Sequence, residues 1–174
     1  MKIKLFVILV AGLITFACSR SPVDEKQQLT DRIRYLEENL YSHDGRFNFE
    51  YANNLISNYL IFTESYPEDQ MAADNLFKAA DISINLDNQN RTISLLNRII
   101  DDYPNYEKAG LAKFLKAFVY DNQIGDTATA RQLYLNFIEE HPQHNFVEEA
   151  HAAIRNLGKS PEEIIREFEM LNNQ

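Results

Sequence analysis

The stretch GDTATARQLYLNFIEEHP, from Gly125 to Pro142, decides the fold. Gly125-Asp126 supplies a chain breaker followed by a capping carboxylate, and Pro142 prevents a helix from running on. Between them Ala130, Tyr134 and Phe137 recur at the spacing that sets side chains on one helical face. The segment predicts an amphipathic helix over 127–140, closed at both ends by its own residues.

The same register stands twice more, upstream. Tyr66-Pro67, Tyr103-Pro104 and His141-Pro142 recur at intervals of 37 and 38 residues. Eight residues before each proline stand Tyr59, Leu96 and Tyr134, and five before stand Phe62, Ile99 and Phe137. Five residues after come Ala72, Ala109 and Val147, and ten after come Phe77, Phe114 and Ala152. Self-similarity at such a period marks a stack of helical hairpins, each too small to bury its apolar face alone.

Helical stripes continue outward from this block. Leu29, Ile33, Leu36 and Leu40 form one, and Leu55, Tyr59 and Phe62 another. Breakers fall at Asp44-Gly45, at the prolines, at Asn88-Gln89-Asn90, at Gly125-Asp126 and at Gly158. The pattern predicts eight helices, near 25–41, 48–65, 69–86, 90–102, 106–123, 127–140, 145–157 and 161–172, and no strand. The last has the clearest start: Ser160-Pro161-Glu162-Glu163 combines a capping serine, a proline in the first turn and a glutamate able to reach back. Its stripe of Ile164, Ile165, Phe168 and Leu171 suits a terminal helix that covers the end of a stack.

This pattern resembles the tetratricopeptide repeat family, over about residues 25–158. Gly125-Asp126 with Ala130, Tyr134, Phe137 and Pro142 is the family's second helix almost in full. The long spacing, with Tyr-Pro followed by alanines, is similar to bacterial envelope members of the family. These include the repeat lipoprotein of the outer-membrane β-barrel assembly machinery and the periplasmic protein that coordinates Tol–Pal. The resemblance implies an all-α, right-handed solenoid of antiparallel helix pairs, with about three to four repeats and a C-terminal capping helix. It also implies a concave groove lined by the first helix of each pair, which takes a peptide or protein partner. On those helices the candidate partner-binding residues are Asp74, Lys78, Asp81, Lys113, Lys116 and Tyr120.

The start of the chain reads differently. Lys2 and Lys4 precede an apolar run of 13 residues, Leu5 to Ala17, ending at Cys18. Such a run is shorter than the roughly 20 residues that cross a bilayer as a helix, and it matches the apolar region of a secretory signal. Ala17-Cys18 resembles the lipobox of bacterial lipoproteins, although Phe16 departs from its usual small or aliphatic residue. The expected organisation is a signal peptide over 1–17, a lipidated Cys18 and tether over 18–24, and the helical repeat domain over 25–174. Two acyl chains suffice for stable anchoring. The expected location is the bacterial envelope, on the outer membrane and facing the periplasm.

The chain has 174 residues, 45% hydrophobic and 25% charged, enough for one domain of ordinary globular composition. With one cysteine it can form no internal disulfide. Losing Lys2 and Lys4 with the signal leaves 15 basic residues against 26 acidic ones, a net charge of −11. A chain this acidic repels phosphate backbones, so nucleic acid is not an expected partner.

Other motifs point to no chemistry. His144, Glu148 and His151 lie at helical spacing, but a fourth ligand and supporting partners for a metal are missing. The pairs Asp101-Asp102 and Glu139-Glu140 recur at one repeat position near a helix end, as solvated surface does. Asp126-Thr127-Ala128 resembles a short bacterial O-glycosylation motif, which helix capping by Asp126 explains equally well. No nucleophile system and no glycine-rich phosphate loop is present. The expectation is a non-enzyme without cofactor, metal or small-molecule substrate. It is a lipid-anchored adaptor for an envelope protein or peptide, in outer-membrane protein assembly or envelope maintenance. The alternative is a structural lipoprotein of the envelope that self-associates.

Overall fold

The computed structural model describes residues 22–172. The expected signal peptide and Cys18 lie outside them. Among the described residues the chain forms eight α-helices: α1 (Pro22–Glu38), α2 (Phe49–Ser65), α3 (Gln70–Asn85), α4 (Gln89–Asp102), α5 (Ala109–Val119), α6 (Thr127–Glu140), α7 (Val147–Asn156) and α8 (Pro161–Asn172). Together they make the all-α stack of helical hairpins that the register predicts, in the tetratricopeptide-like form that the resemblance implies. No described helix is long and apolar enough to cross a membrane.

The helix starts are written in the sequence. Asn48, Asp69, Asn88 and Asp126 each accept a hydrogen bond from a backbone N–H in the first turn of α2, α3, α4 and α6. Such a cap stabilises a helix by about 1 kcal/mol. At α8 the predicted reciprocal box forms, with Ser160 N–H donating to Glu163 Oε2 at 2.8 Å and Glu163 N–H to Ser160 Oγ at 3.2 Å.

The stops repeat with the register too. Tyr66, Tyr103 and His141 each donate their N–H back to the carbonyl of Phe62, Ile99 and Phe137, at 2.8, 3.1 and 2.9 Å. Each then accepts from the residue three further on: Asp69, Tyr106 and His144. The three Xaa-Pro corners are therefore the same turn, built three times.

Packing follows the apolar stripes. A first core gathers Ile33, Leu36, Leu55, Tyr59, Phe62, Leu76, Leu96 and Ile99 from α1 to α4. A second, smaller core holds Phe114, Ala117, Ala130, Tyr134, Phe137 and Ala150 from α5 to α7. Each large apolar side chain fully buried this way contributes about 1.5–3 kcal/mol.

Four details differ from the expectation. α1 begins at Pro22 and stops at Glu38, where the Asn39 side-chain amide donates to the carbonyl of Tyr35 at 2.7 Å. A single antiparallel bridge, Tyr41 to Phe47, then closes a turn around Gly45, whose φ of 78° suits glycine. α5 does not run from 106 to 123 as one α-helix: it starts at Ala109 and passes into a π-helical turn over Tyr120–Ile124. Finally, α8 forms with its cap but leaves part of its stripe uncovered, with Ile165 58% and Phe168 66% exposed.

Candidate functional site

The six candidate groove residues fall into separate settings. Asp74 and Lys78 belong to a charged ladder across the first three helix pairs. Glu37 on α1 accepts from Tyr59 Oη at 2.6 Å and from Lys78 Nζ at 2.9 Å. Lys78 lies 3.3 Å from Asp74 on its own helix. Asp74 in turn accepts from Tyr106 Oη at 3.0 Å and from Lys108 Nζ at 3.2 Å. Lys108 rests over the Phe77 ring, 5.1 Å from its centre.

Opposing effects set the ionisation of this ladder. Burial pushes the Asp74 carboxyl up, but the Tyr106 hydroxyl, Lys108 and Lys78 together outweigh it and hold the group below the usual carboxylate range. Burial and the Glu37 carboxylate raise the Tyr59 hydroxyl well above its ordinary value. Every charge in the ladder is matched, so it works as a brace between helices.

Lys113 and Lys116 stand elsewhere, on a face of α5 turned towards α4 and α6. Lys113 pairs with Glu140 at the end of α6. Both lysines line a small cleft of about 190 Å³ with Ile100, Leu133 and Phe137. Tyr120 packs on the second core and opens the π turn. Asp81 is exposed on α3, where its backbone carbonyl accepts from Asn85.

The larger concavity lies between α5, α7 and the start of α8. Phe114 and Phe118 of α5, Tyr134 of α6, Ala153 of α7 and Ile164 of α8 give it apolar walls, around a volume of about 820 Å³. Asp121 and Glu149 stand among its polar lining residues. Burial raises the Asp121 carboxyl above the usual range, only partly offset by the Tyr134 hydroxyl 3.5 Å away. Lys159 also lines the cleft, and its charge is matched by Glu167 at 2.6 Å.

The π turn brings Asp121 there. Counted from Pro67 and Pro104, the cap of α6 at Asp126 comes one residue later than the cap of α4 at Asn88. That extra residue is the difference between the 37- and 38-residue intervals. α5 absorbs it by widening its last turn, which Asp126 N–H closes on the Tyr120 carbonyl at 3.0 Å. Gln123 fixes the widened turn to α3, donating to the Ile84 carbonyl at 3.0 Å. The uneven interval is the visible signal in the sequence; the turn that produces it leaves none.

Two of the histidines, His141 and His144, serve packing. His144 precedes α7 and meets the rings of Phe137 and Phe146, while His151 and Glu148 are exposed on α7. Among the described residues no group of three His, Cys, Asp or Glu side chains could hold a metal ion. His141 fills the register position of Tyr66 and Tyr103. Burial, with the charge of Lys113 and the neighbouring His144, lowers its pKa against a weaker pull from Glu140.

The tetratricopeptide repeat family model matches residues 74–106 and 111–144, which are the α3–α4 and α5–α6 hairpins with their Xaa-Pro corners. No curated protein matches the chain.

Proposed function

We propose that this chain is a lipid-anchored adaptor of the bacterial cell envelope, held on the outer membrane and facing the periplasm. Its solenoid docks a protein or peptide in outer-membrane protein assembly or envelope maintenance. The observation that carries the scaffold part is the pair of tetratricopeptide repeats, a fold whose general use is protein–protein interaction. The anchor rests on the apolar run Leu5–Ala17 that ends at Cys18, the only cysteine. The adaptor acts through surface complementarity, without catalysis, cofactor or metal. A second reading, self-association as a structural lipoprotein, is favoured by the exposed Ile165, Phe168 and Met170 of α8.

Metabolic labelling with a palmitate analogue, followed by membrane fractionation, tests the anchor. The full chain is expected to take up label and sediment with outer membrane, and Cys18→Ser to lose both. Label-free protein in the soluble fraction would overturn the anchor. Cross-linking in intact cells tests the adaptor. Recovery of a second envelope protein, reduced by Lys113→Glu with Lys116→Glu, is the expected result, and recovery of the chain joined only to itself would favour the structural reading.

A further inference from the structure

The carboxylates of this protein differ in what meets them. Glu37, Asp69, Asp74 and Glu140 are met by lysines from other helices or turns. Asp121 and Glu149, in the wide cleft, have no cation within ion-pair distance among the described residues. One of them, Asp121, is a partly desolvated carboxylate whose single partner is a tyrosine hydroxyl at 3.5 Å. A carboxylate taken partly out of water without a matching charge is costly to the fold, and the cost is relieved when a cation arrives.

Around these carboxylates the walls are aromatic and aliphatic. Phe118 and Ile164 are half-buried, so a ligand side chain laid between them would cover what water now reaches. The cleft therefore offers an apolar slot and a negative rim side by side. Its long-range field has the same sign, because the described helices belong to a chain of net charge −9, which draws basic ligands in.

We infer that the cleft between α5, α7 and α8 binds a segment of a partner protein that presents a lysine or arginine next to a bulky apolar side chain. The cation meets Asp121 and Glu149 while the apolar group seats against Phe118 and Ile164. A second copy of this chain is a poorer occupant. Its own uncovered helix, α8, sets one cation, Arg166, among Glu162, Glu163, Glu167 and Glu169 and would bring mainly acid to acid. The inference rests on the scaffold reading above and adds to it the place and the chemistry of the partner.

The test is a random dodecapeptide library displayed on phage and panned on the full chain in detergent micelles. The expected winners combine Lys or Arg with Leu, Ile, Met or Phe. A synthetic peptide of that consensus is expected to lose at least about tenfold in affinity to the Asp121→Asn, Glu149→Gln double variant, as loss of charge-assisted contacts requires. Arg46→Glu should leave affinity within about twofold, since that exposed residue lies in the turn between α1 and α2, away from the cleft. Unchanged circular dichroism separates lost binding from lost fold, and the amide oxygen that Asp121→Asn leaves in place can still accept from Tyr134.

Winners without basic residues, or binding that survives the double variant, would overturn the assignment of the cleft. A cross-linked envelope partner recovered from cells despite that result would leave the scaffold reading standing. No winners and no cross-linked partner would overturn both. Oligomers of the full chain that exclude the consensus peptide would replace the basic segment with a second copy.

Discussion

α3 and α5 are the same helix in successive repeats, and they have been put to different uses. Leu76 and Ala79 of α3 are fully buried. The residues at the same distance from the preceding proline in α5 are Lys113 and Lys116, which line an open cleft. α3 ends at Asn85 and turns through Leu86 and Asp87 into the next cap, whereas α5 widens into a π turn and ends at Gly125, with φ 77°. On α3 the charges are braced by partners on α1 and beyond; on α5 the last turn delivers a carboxylate that nothing among the described residues neutralises. A repeat stack can thus keep its Xaa-Pro corners while positions that are core in one member become surface in the next.

The strongest way to break this comparison is to truncate the matched pair. Leu76→Ala removes a side chain with no exposure and is expected to cost roughly 3–5 kcal/mol in urea unfolding. Lys113→Ala, at the same register position, loses one partly exposed ion pair and should cost less than about 1 kcal/mol. Equal losses would mean that α5 is as central to the core as α3.

Removing the extra residue sharpens the same point. Deletion of the exposed Asn122 restores the 37-residue spacing and is expected to replace the π turn by ordinary helix. With the Gln123 contact to Ile84 gone, the loss should be about 1 kcal/mol, and the cleft should no longer hold the consensus peptide. Peptide binding that outlasts the deletion would separate the cleft from the turn.

His141→Tyr makes the third corner like the other two. Tyr103 Oη donates to the Pro67 carbonyl at 3.1 Å, and the matching acceptor for a tyrosine in the third corner is the carbonyl of Pro104. His141 has a buried Nε2 without a hydrogen-bond partner, so the exchange is expected to gain about 0.5–1 kcal/mol at neutral pH. The gain should widen under acid. The folded pKa of His141 lies below its unfolded value, so its neutral-form stability is complete above that value and is lost as pH falls towards the folded pKa. Thermal unfolding of both proteins at about pH 7.5 and about pH 5.5 checks the sign.

The smallest effects, but the most direct comparison, come from Asp74→Asn and Asp121→Asn. Asp74 has a lowered folded pKa, so it stabilises at neutral pH and loses this as pH falls through the folded value. Asp121 has a raised folded pKa, so its ionised form costs stability at neutral pH, and the cost is relieved as pH falls through that raised value. At neutral pH the first substitution should lower the urea midpoint and the second should raise it. Shifts of the same sign would remove the distinction between braced and unmatched carboxylates.

Most of the helices are legible in the sequence because their signals are local. Asn88, Asp126 and Ser160 cap within three residues of themselves, and the Xaa-Pro corners close within the same reach. The π turn is not legible: an inserted residue has no chemical mark, and only the backbone decides where to store it. The charged ladder escapes for another reason. Glu37, Asp74 and the pair Tyr106 and Lys108 come from three places in the chain, and their meeting depends on helix phase. α8 shows the limit of pattern: its stripe is plain, but whether a neighbour covers it is a tertiary fact, and Ile165 and Phe168 are left exposed. Of the cleft, only the uneven spacing gives notice.

That spacing has a consequence for how such a protein changes over time. Along an α-helix each added residue rotates the remainder of the helix by about 100°, which would swing every later side chain out of register. Here the corner at His141-Pro142 and the cap at Asp126 keep their places, because one wide turn swallows the addition. A single inserted codon can therefore redirect the side chains of one turn and leave the other helices where they were. Repeat proteins with stiff corners and one elastic helix end can try new surfaces in steps of one residue.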